Sequence, residues 1–269
     1  MEFFEEVYEI AISGLPNNNI LNIISKAKEK KYKDVVLDLF KTDEKLPFKY
    51  DDELHNYLYM NGVIDIEKAE KGKLFMKFPS PFVQKRLFNY FARQLYKYMG
   101  KIYDPLEDFD DIITGKFLNI KNLIKRYEKY LLENSERIIG NAPRRSDMRI
   151  YEAVFHFNLY MYLYKFMDSF EGEVYPEFPT GNGKIDLIVK YADKIYGLEL
   201  KTFGNRPAYK KALKQAAIYG KSLQLSEISL VFFIENIDDE NRHKLETDYC
   251  DQDTGVKVIP VFVNTGETP

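Results

Sequence analysis

Residues 183–201 read GKIDLIVKYADKIYGLELK. Ile185, Leu187 and Val189 alternate with Asp186, Ile188 and Lys190, and further on Leu198 and Leu200 alternate with Glu199 and Lys201, which is the period-two signature of two strands. Ala192 and Asp193 form the short polar break of a hairpin. A two-residue loop there sets Leu187 against Leu198, Ile185 against Leu200 and Asp186 against Glu199, and a four-residue loop over 191–194 gives the same register. A slip of one residue would turn every aspartate, glutamate and leucine to the wrong face, so the apolar pattern supports the pairing by itself.

Directly opposed residues have Cβ atoms about 5 Å apart, and two carboxylates at that distance repel by about 3 kcal/mol at an effective dielectric near 20. A cation is therefore expected between Asp186 and Glu199. Two converging oxygen donors with room for water and a phosphate oxygen suit Mg²⁺ or Mn²⁺. Lys201 follows Glu199 on the same face, about 6 to 7 Å along the strand, where it can orient a nucleophilic water or offset charge on a pentavalent phosphorane. Glu-X-Lys alone is a weak signal, since Glu29-Lys30-Lys31 matches it inside a charged helical stretch. Strand parity separates the two occurrences.

An aspartate on one strand followed by (D/E)-X-K on the next, here Asp186 and Glu199-Leu200-Lys201, resembles the PD-(D/E)XK nuclease superfamily. Glu152 on the preceding helix and Gln215-Ala-Ala-Ile-Tyr219 on the following one, similar to the Q-x-x-x-Y element of RecB-type members, extend the likeness over roughly 144–269. More narrowly, YEAVFHFNLYMYL, YPEFPTGNGKIDLIV, YGLELK and KQAAIYG resemble the nuclease-like domain at the C-terminus of a family of AAA-type ATPases, although no G-x-x-x-x-G-K-[S/T] phosphate loop occurs.

The resemblance implies an α/β fold with a restriction-endonuclease-like αβββαβ core and a mixed sheet. It implies a metal held by Asp186, Glu199 and the carbonyl of Leu200, with Glu152 bound directly or through water and His156, one turn later, as a further ligand. Lys201, Gln215 and Tyr219 would complete the catalytic set. Glu152 has a second reading as an ion-pair partner of Arg149 or His156, and Glu177 is a candidate replacement for it. The implied activity is hydrolysis of phosphodiester bonds in DNA rather than RNA. A separate ATPase subunit and a homodimer are expected as partners. The alternative is a catalytically inactive nuclease-like domain that binds nucleic acid or an ATPase.

The length of 269 residues accommodates two domains, and 21 Tyr with 20 Phe indicate a folded chain. A formal net charge of −3 excludes a uniformly basic coat but not a local basic groove. The single Cys250 has no partner for an internal disulfide or a metal cluster. The acidic start MEFFEEVYEI is unlike a signal peptide and no long apolar run occurs, so a cytoplasmic, non-membrane protein is expected.

Upstream, helices near 18–31, 33–40 and 51–60 precede a hairpin over 62–66 and 73–78, a winged-helix-like pattern whose wing carries Lys71, Lys73 and Lys77. Long helices follow at 81–99 and 114–134, the second with Lys121, Lys125 and Lys129 at i, i+4 spacing, the usual mark of a solvated face. The turn-rich stretch 140–146 marks a boundary, giving a winged-helix-like domain over 1–100, a helical connector over 101–145 and a nuclease-like domain over 146–269. Pro260 assigns the last strand to a sheet edge. Arg206, Lys210 and Lys214 are candidates for phosphate contact.

Overall fold

The period-two stretch of residues 183–201 is the centre of a six-stranded mixed sheet in a computed structural model. The model describes residues 18–40, 45–69, 72–104, 106–140, 142–144, 150–179 and 184–266. The side chains of residues 177–179, 184 and 185 are not among those described, which leaves Glu177 outside, together with Lys71 and part of the stretch 140–146.

Two compact units divide the chain, Met1–Phe91 and Ala92–Pro269. The described part of the first contains α1 (Asn18–Ala27), α2 (Lys30–Asp38), α3 (Glu53–Met60) and an antiparallel hairpin of β1 (Asp65–Lys68) and β2 (Leu74–Lys77), and α4 (Pro81–Tyr96) begins within it. Asp52 caps α3 by accepting from the amides of Leu54 and His55. Phe40, Phe78 and Phe88 pack together in its core. Glu29 is the residue before α2, so the second Glu-X-Lys sits at a helix start and not on a strand.

The second unit holds β3 (Ile113–Thr114), β4 (Phe117–Leu118), α5 (Ile120–Glu133), α6 (Ser135–Ile139), α7 (Glu152–Asp168), β5 (Glu173–Pro179), β6 (Lys184–Tyr191), β7 (Lys194–Thr202), α8 (Arg206–Ser222), β8 (Glu227–Ile234), α9 (Asp239–Leu245), β9 (Tyr249–Cys250) and β10 (Lys257–Asn264). The strand order is β5-β6-β7-β8-β10-β9, with β5, β6 and β7 antiparallel and β7, β8 and β10 parallel. The chain is therefore mixed α/β. Among the described residues, no helix is long and apolar enough to cross a membrane.

Side-chain alternation gives the sheet two faces. Ile188, Leu230, Phe232 and Phe262 lie under Ala212, Leu213, Ala216 and Ala217 of α8, which covers one face. Phe233, next to Phe232 and so on the other face, stacks on Phe155 of α7 at 5.1 Å and meets Tyr127 of α5 edge-on at 6.5 Å. Covered on both sides, β8 and β10 read as near-continuous apolar runs.

Two expectations are corrected. The helix expected over 114–134 starts only at Ile120, because a small hairpin turning at Gly115 and Lys116 takes up its first residues and Asn119 caps the helix through the Asn122 amide. The last strand is not outermost, since β9 pairs with it at Lys257 and Val258. β9 ends before Pro260, however, so the missing proline N–H costs no strand pairing. Beyond that point carboxylates take over as partners for β10. Glu246 accepts from the Phe262 amide at 2.9 Å and Glu128 from the Asn264 amide at 2.7 Å, while Arg242 clamps Glu128 at 2.5 and 3.0 Å.

The β6–β7 turn places Ala192 at φ 49° and Asp193 at φ 60°, the positive pair that a type I′ turn needs and that Ala tolerates poorly. Replacing Ala192→Asn and Asp193→Gly together is expected to raise unfolding stability by about 1 kcal/mol in urea titration. A double variant no more stable than the parent would mean the turn is not held in this conformation.

Candidate functional site

The hairpin register is the expected one, from Tyr191 opposite Lys194 through Val189 opposite Tyr196 to Leu187 opposite Leu198. There the β6–β7 ladder ends. Beyond it β6 stays paired to β5 at Ile185 and Lys184, and β7 stays paired to β8 as far as Thr202. The two strands part while each keeps its outer neighbour, and Asp186 spans the gap, its Oδ2 accepting from the Leu200 amide at 2.7 Å. A strand residue directs its N–H and C=O to the same side, so the Leu200 carbonyl shares the edge facing Asp186.

Asp186, Glu199 and Lys201 all lie on the α8 face. Asp186 alternates with Ile188, and Glu199 and Lys201 neighbour Leu230 and Phe232, the residues that α8 covers. Their relative exposures are 2%, 0% and 4%, so three ionisable groups are held in a low-dielectric setting. Burying a lone carboxylate costs several kcal/mol, which a close cation offsets. Lys201 Nζ stands 2.9 Å from Glu199 Oε1.

On α8, Gln215 and Tyr219 are separated by one turn, and Gln215 Nε2 donates to the Tyr219 hydroxyl oxygen at 2.6 Å. Burial raises the Tyr219 pKa above its usual value; the Gln215 hydrogen bond and Lys201 oppose the shift, and Glu199 and Asp186 add to it. Those influences mean that Tyr219 is within electrostatic range of the three charged groups. With its oxygen accepting from Gln215 and its proton retained, Tyr219 has an O–H left to donate.

His156 Nε2 lies 3.6 Å from Glu152 Oε1, and its ring faces Phe233 on the sheet face opposite Lys201. Among the described residues, no three His, Cys, Asp or Glu side chains cluster to hold a metal ion. Two carboxylates and a carbonyl are nonetheless hard oxygen donors of the kind Mg²⁺ takes while keeping several waters, so Asp186, Glu199 and Leu200 fit that ion better than zinc. The role of the Leu200 amide in fixing Asp186 was not visible in the sequence, because alternation does not reveal where a ladder stops.

Two cavities of 570 and 600 Å³ lie at the turn end of the hairpin, lined by Lys194 and Ile195 among others, and take in none of the three charged residues. From Tyr196, at the first cavity, to Lys201 is about 16 Å along β7. The buried charge cluster, not cavity size, identifies the chemical site. Comparison with protein-family models, with curated proteins and with solved structures gave no match.

If Lys201 and Glu199 act as a pair, Lys201→Ala and Glu199→Ala should each cost about 3 to 5 kcal/mol in chelator, and the double variant distinctly less than their sum. Urea unfolding of the four proteins measures the coupling, and strict additivity would show that the two side chains do not stabilise each other.

Proposed function

We propose that this chain is a divalent-metal-dependent phosphodiesterase of the PD-(D/E)XK nuclease type, acting on DNA. The observation that carries the reading is the convergence of Asp186, Glu199 and Lys201 on one buried sheet face, where β6 and β7 part. The order helix, three antiparallel strands, helix, strand, from α7 to β8, supports it. So does the position of Gln215 and Tyr219 on the helix that covers that face.

Asp186, Glu199 and the Leu200 carbonyl would hold Mg²⁺ or Mn²⁺, which supplies Lewis-acid stabilisation of a phosphoryl oxygen. The protein's own groups do the rest. The Leu200 amide fixes Asp186 in one rotamer. Lys201, with its ammonium in a low-dielectric pocket, orients the attacking water and offsets charge gathering on the equatorial oxygens. Tyr219 keeps its proton into alkaline solution and donates a hydrogen bond to the phosphodiester, with Gln215 holding its ring in place.

A second reading takes the Lys201–Glu199 pair as a structural ion pair in a domain without hydrolytic activity. It is favoured by the contact of the His156 ring with Phe233, on the sheet face opposite Lys201. One assay separates the two readings. Labelled single- and double-stranded DNA is incubated with the wild type and with Lys201→Ala, in Mn²⁺, Mg²⁺ or EDTA, with circular dichroism confirming that the variant folds and Asp186→Asn as a second, smaller change. Cleavage should require the metal and fall at least about 100-fold in Lys201→Ala, with DNA affinity little altered. Undiminished cleavage by folded Lys201→Ala would overturn the assignment, and a wild type inert with every metal would favour the second reading.

A further inference from the structure

Three sets of cations stood out in the sequence, and the structure treats them differently. On α5, Lys121 and Lys125 reach Glu246 at 3.6 and 4.0 Å, and Lys129 reaches Glu133 at 3.9 Å. In the first unit, Lys77 meets Asp65 at 3.7 Å and Lys45 meets Glu67 at 2.6 Å. Each of these lysines stands beside a carboxylate, whereas Lys73 of the same hairpin forms no ion pair among the described residues. On α8 several such cations stand together. Its sequence RPAYKKALKQAAIYGKS contains Arg206, Lys210, Lys211, Lys214 and Lys221 and no acidic residue. Among the described residues no carboxylate forms an ion pair with Arg206, Lys210, Lys211 or Lys214; Lys214 is near enough to Asp251 to act on it electrostatically.

Helix stability gives no reason for this arrangement. Arg206 stands in the first turn, where the helix dipole disfavours a cation, and no acid stands there to offset it. Nor do the cations pack, since Arg206, Lys210, Lys211 and Lys214 are all exposed, whereas Ala212, Leu213, Ala216 and Ala217 bury the opposite side of the helix against Leu230 and Phe232. Helical spacing sets Lys211, Gln215 and Tyr219 in one row, each a turn from the next, with Lys210 and Lys214 on the outer flank. Tyr219 ends that row within electrostatic range of Asp186, Glu199 and Lys201. From Arg206 to Lys214 is about 12 Å, enough to follow roughly three phosphates of one strand.

We propose that the N-terminal half of α8 is a phosphate-backbone track, in which Arg206, Lys210 and Lys211 hold a DNA strand and the Lys211–Gln215–Tyr219 row directs it to the buried cluster of Asp186, Glu199 and Lys201. The proposal rests on the phosphodiesterase reading for its purpose but is tested by binding alone.

Fluorescence anisotropy of a labelled DNA strand, with EDTA present so that nothing is cut, gives affinity as a function of salt. The wild type is compared with the triple variant Arg206→Gln, Lys210→Gln, Lys211→Gln and with a control of equal charge change at exposed sites elsewhere, Lys101→Gln, Lys129→Gln, Lys244→Gln. The track variant should bind more than about tenfold more weakly at 50 mM salt, and its log–log salt slope should fall by about 2 to 3. The control should lose far less. Equal losses in the two variants, or a wild type that does not bind the strand, would overturn the track. A wild type that binds through α8 but never cleaves in Mn²⁺ would leave the track standing and remove the hydrolytic reading.

Discussion

At Leu187 and Leu198 two strands that have paired since their turn separate, and the carboxylate of Asp186 takes the amide that the ladder releases. The rest of the site depends on that parting. A continuous ladder would direct the Leu200 amide and carbonyl into strand pairing, leaving Asp186 as one more side chain on a covered sheet. The opened edge instead gives the carboxylate a backbone anchor and leaves oxygen donors facing a common gap. β5 and β8 make the separation sustainable, because each keeps hold of one of the parting strands and the sheet loses pairing at one seam only.

Burial makes the charges matter. The face that holds Asp186, Glu199 and Lys201 also holds Ile188, Leu230 and Phe232, the apolar floor beneath α8. Charges in such a place are costly unless matched, and the close approach of Lys201 to Glu199 supplies the match. α8 therefore works on three sides. Its small residues allow it to lie close to the sheet, its Gln215–Tyr219 edge is within electrostatic range of the charged cluster, and its outer side carries Arg206, Lys210, Lys211 and Lys214, which form no ion pair with a carboxylate among the described residues. Along the edge of β10, Glu128 of α5 and Glu246, just beyond α9, supply carboxylates in place of a full neighbouring strand, and the same carboxylates engage Arg242 and the α5 lysines. Two helices with similar lysine content thus have different consequences.

The sequence by itself determined a good deal. Alternation across residues 185–201 yielded the register, since a strand's side-chain period is a property of the backbone and any slip would expose the leucines. The same periodicity put Asp186, Glu199 and Lys201 on one face and separated a strand-borne Glu-X-Lys from the one at the start of α2. Hairpin β3–β4 escaped notice because its two-residue strands are too short to show a period, and the apolar residues flanking Gly115 read as continuous with α5.

Only the tertiary structure decided where the β6–β7 ladder ends, that the His156 ring meets Phe233, and which of the α5 lysines have carboxylate partners. Each of these is a meeting of groups from different elements, as when Lys121 of α5 finds Glu246 just beyond α9. Local periodicity records which way a side chain turns from its own strand or helix. It carries no record of what the rest of the chain brings to meet it.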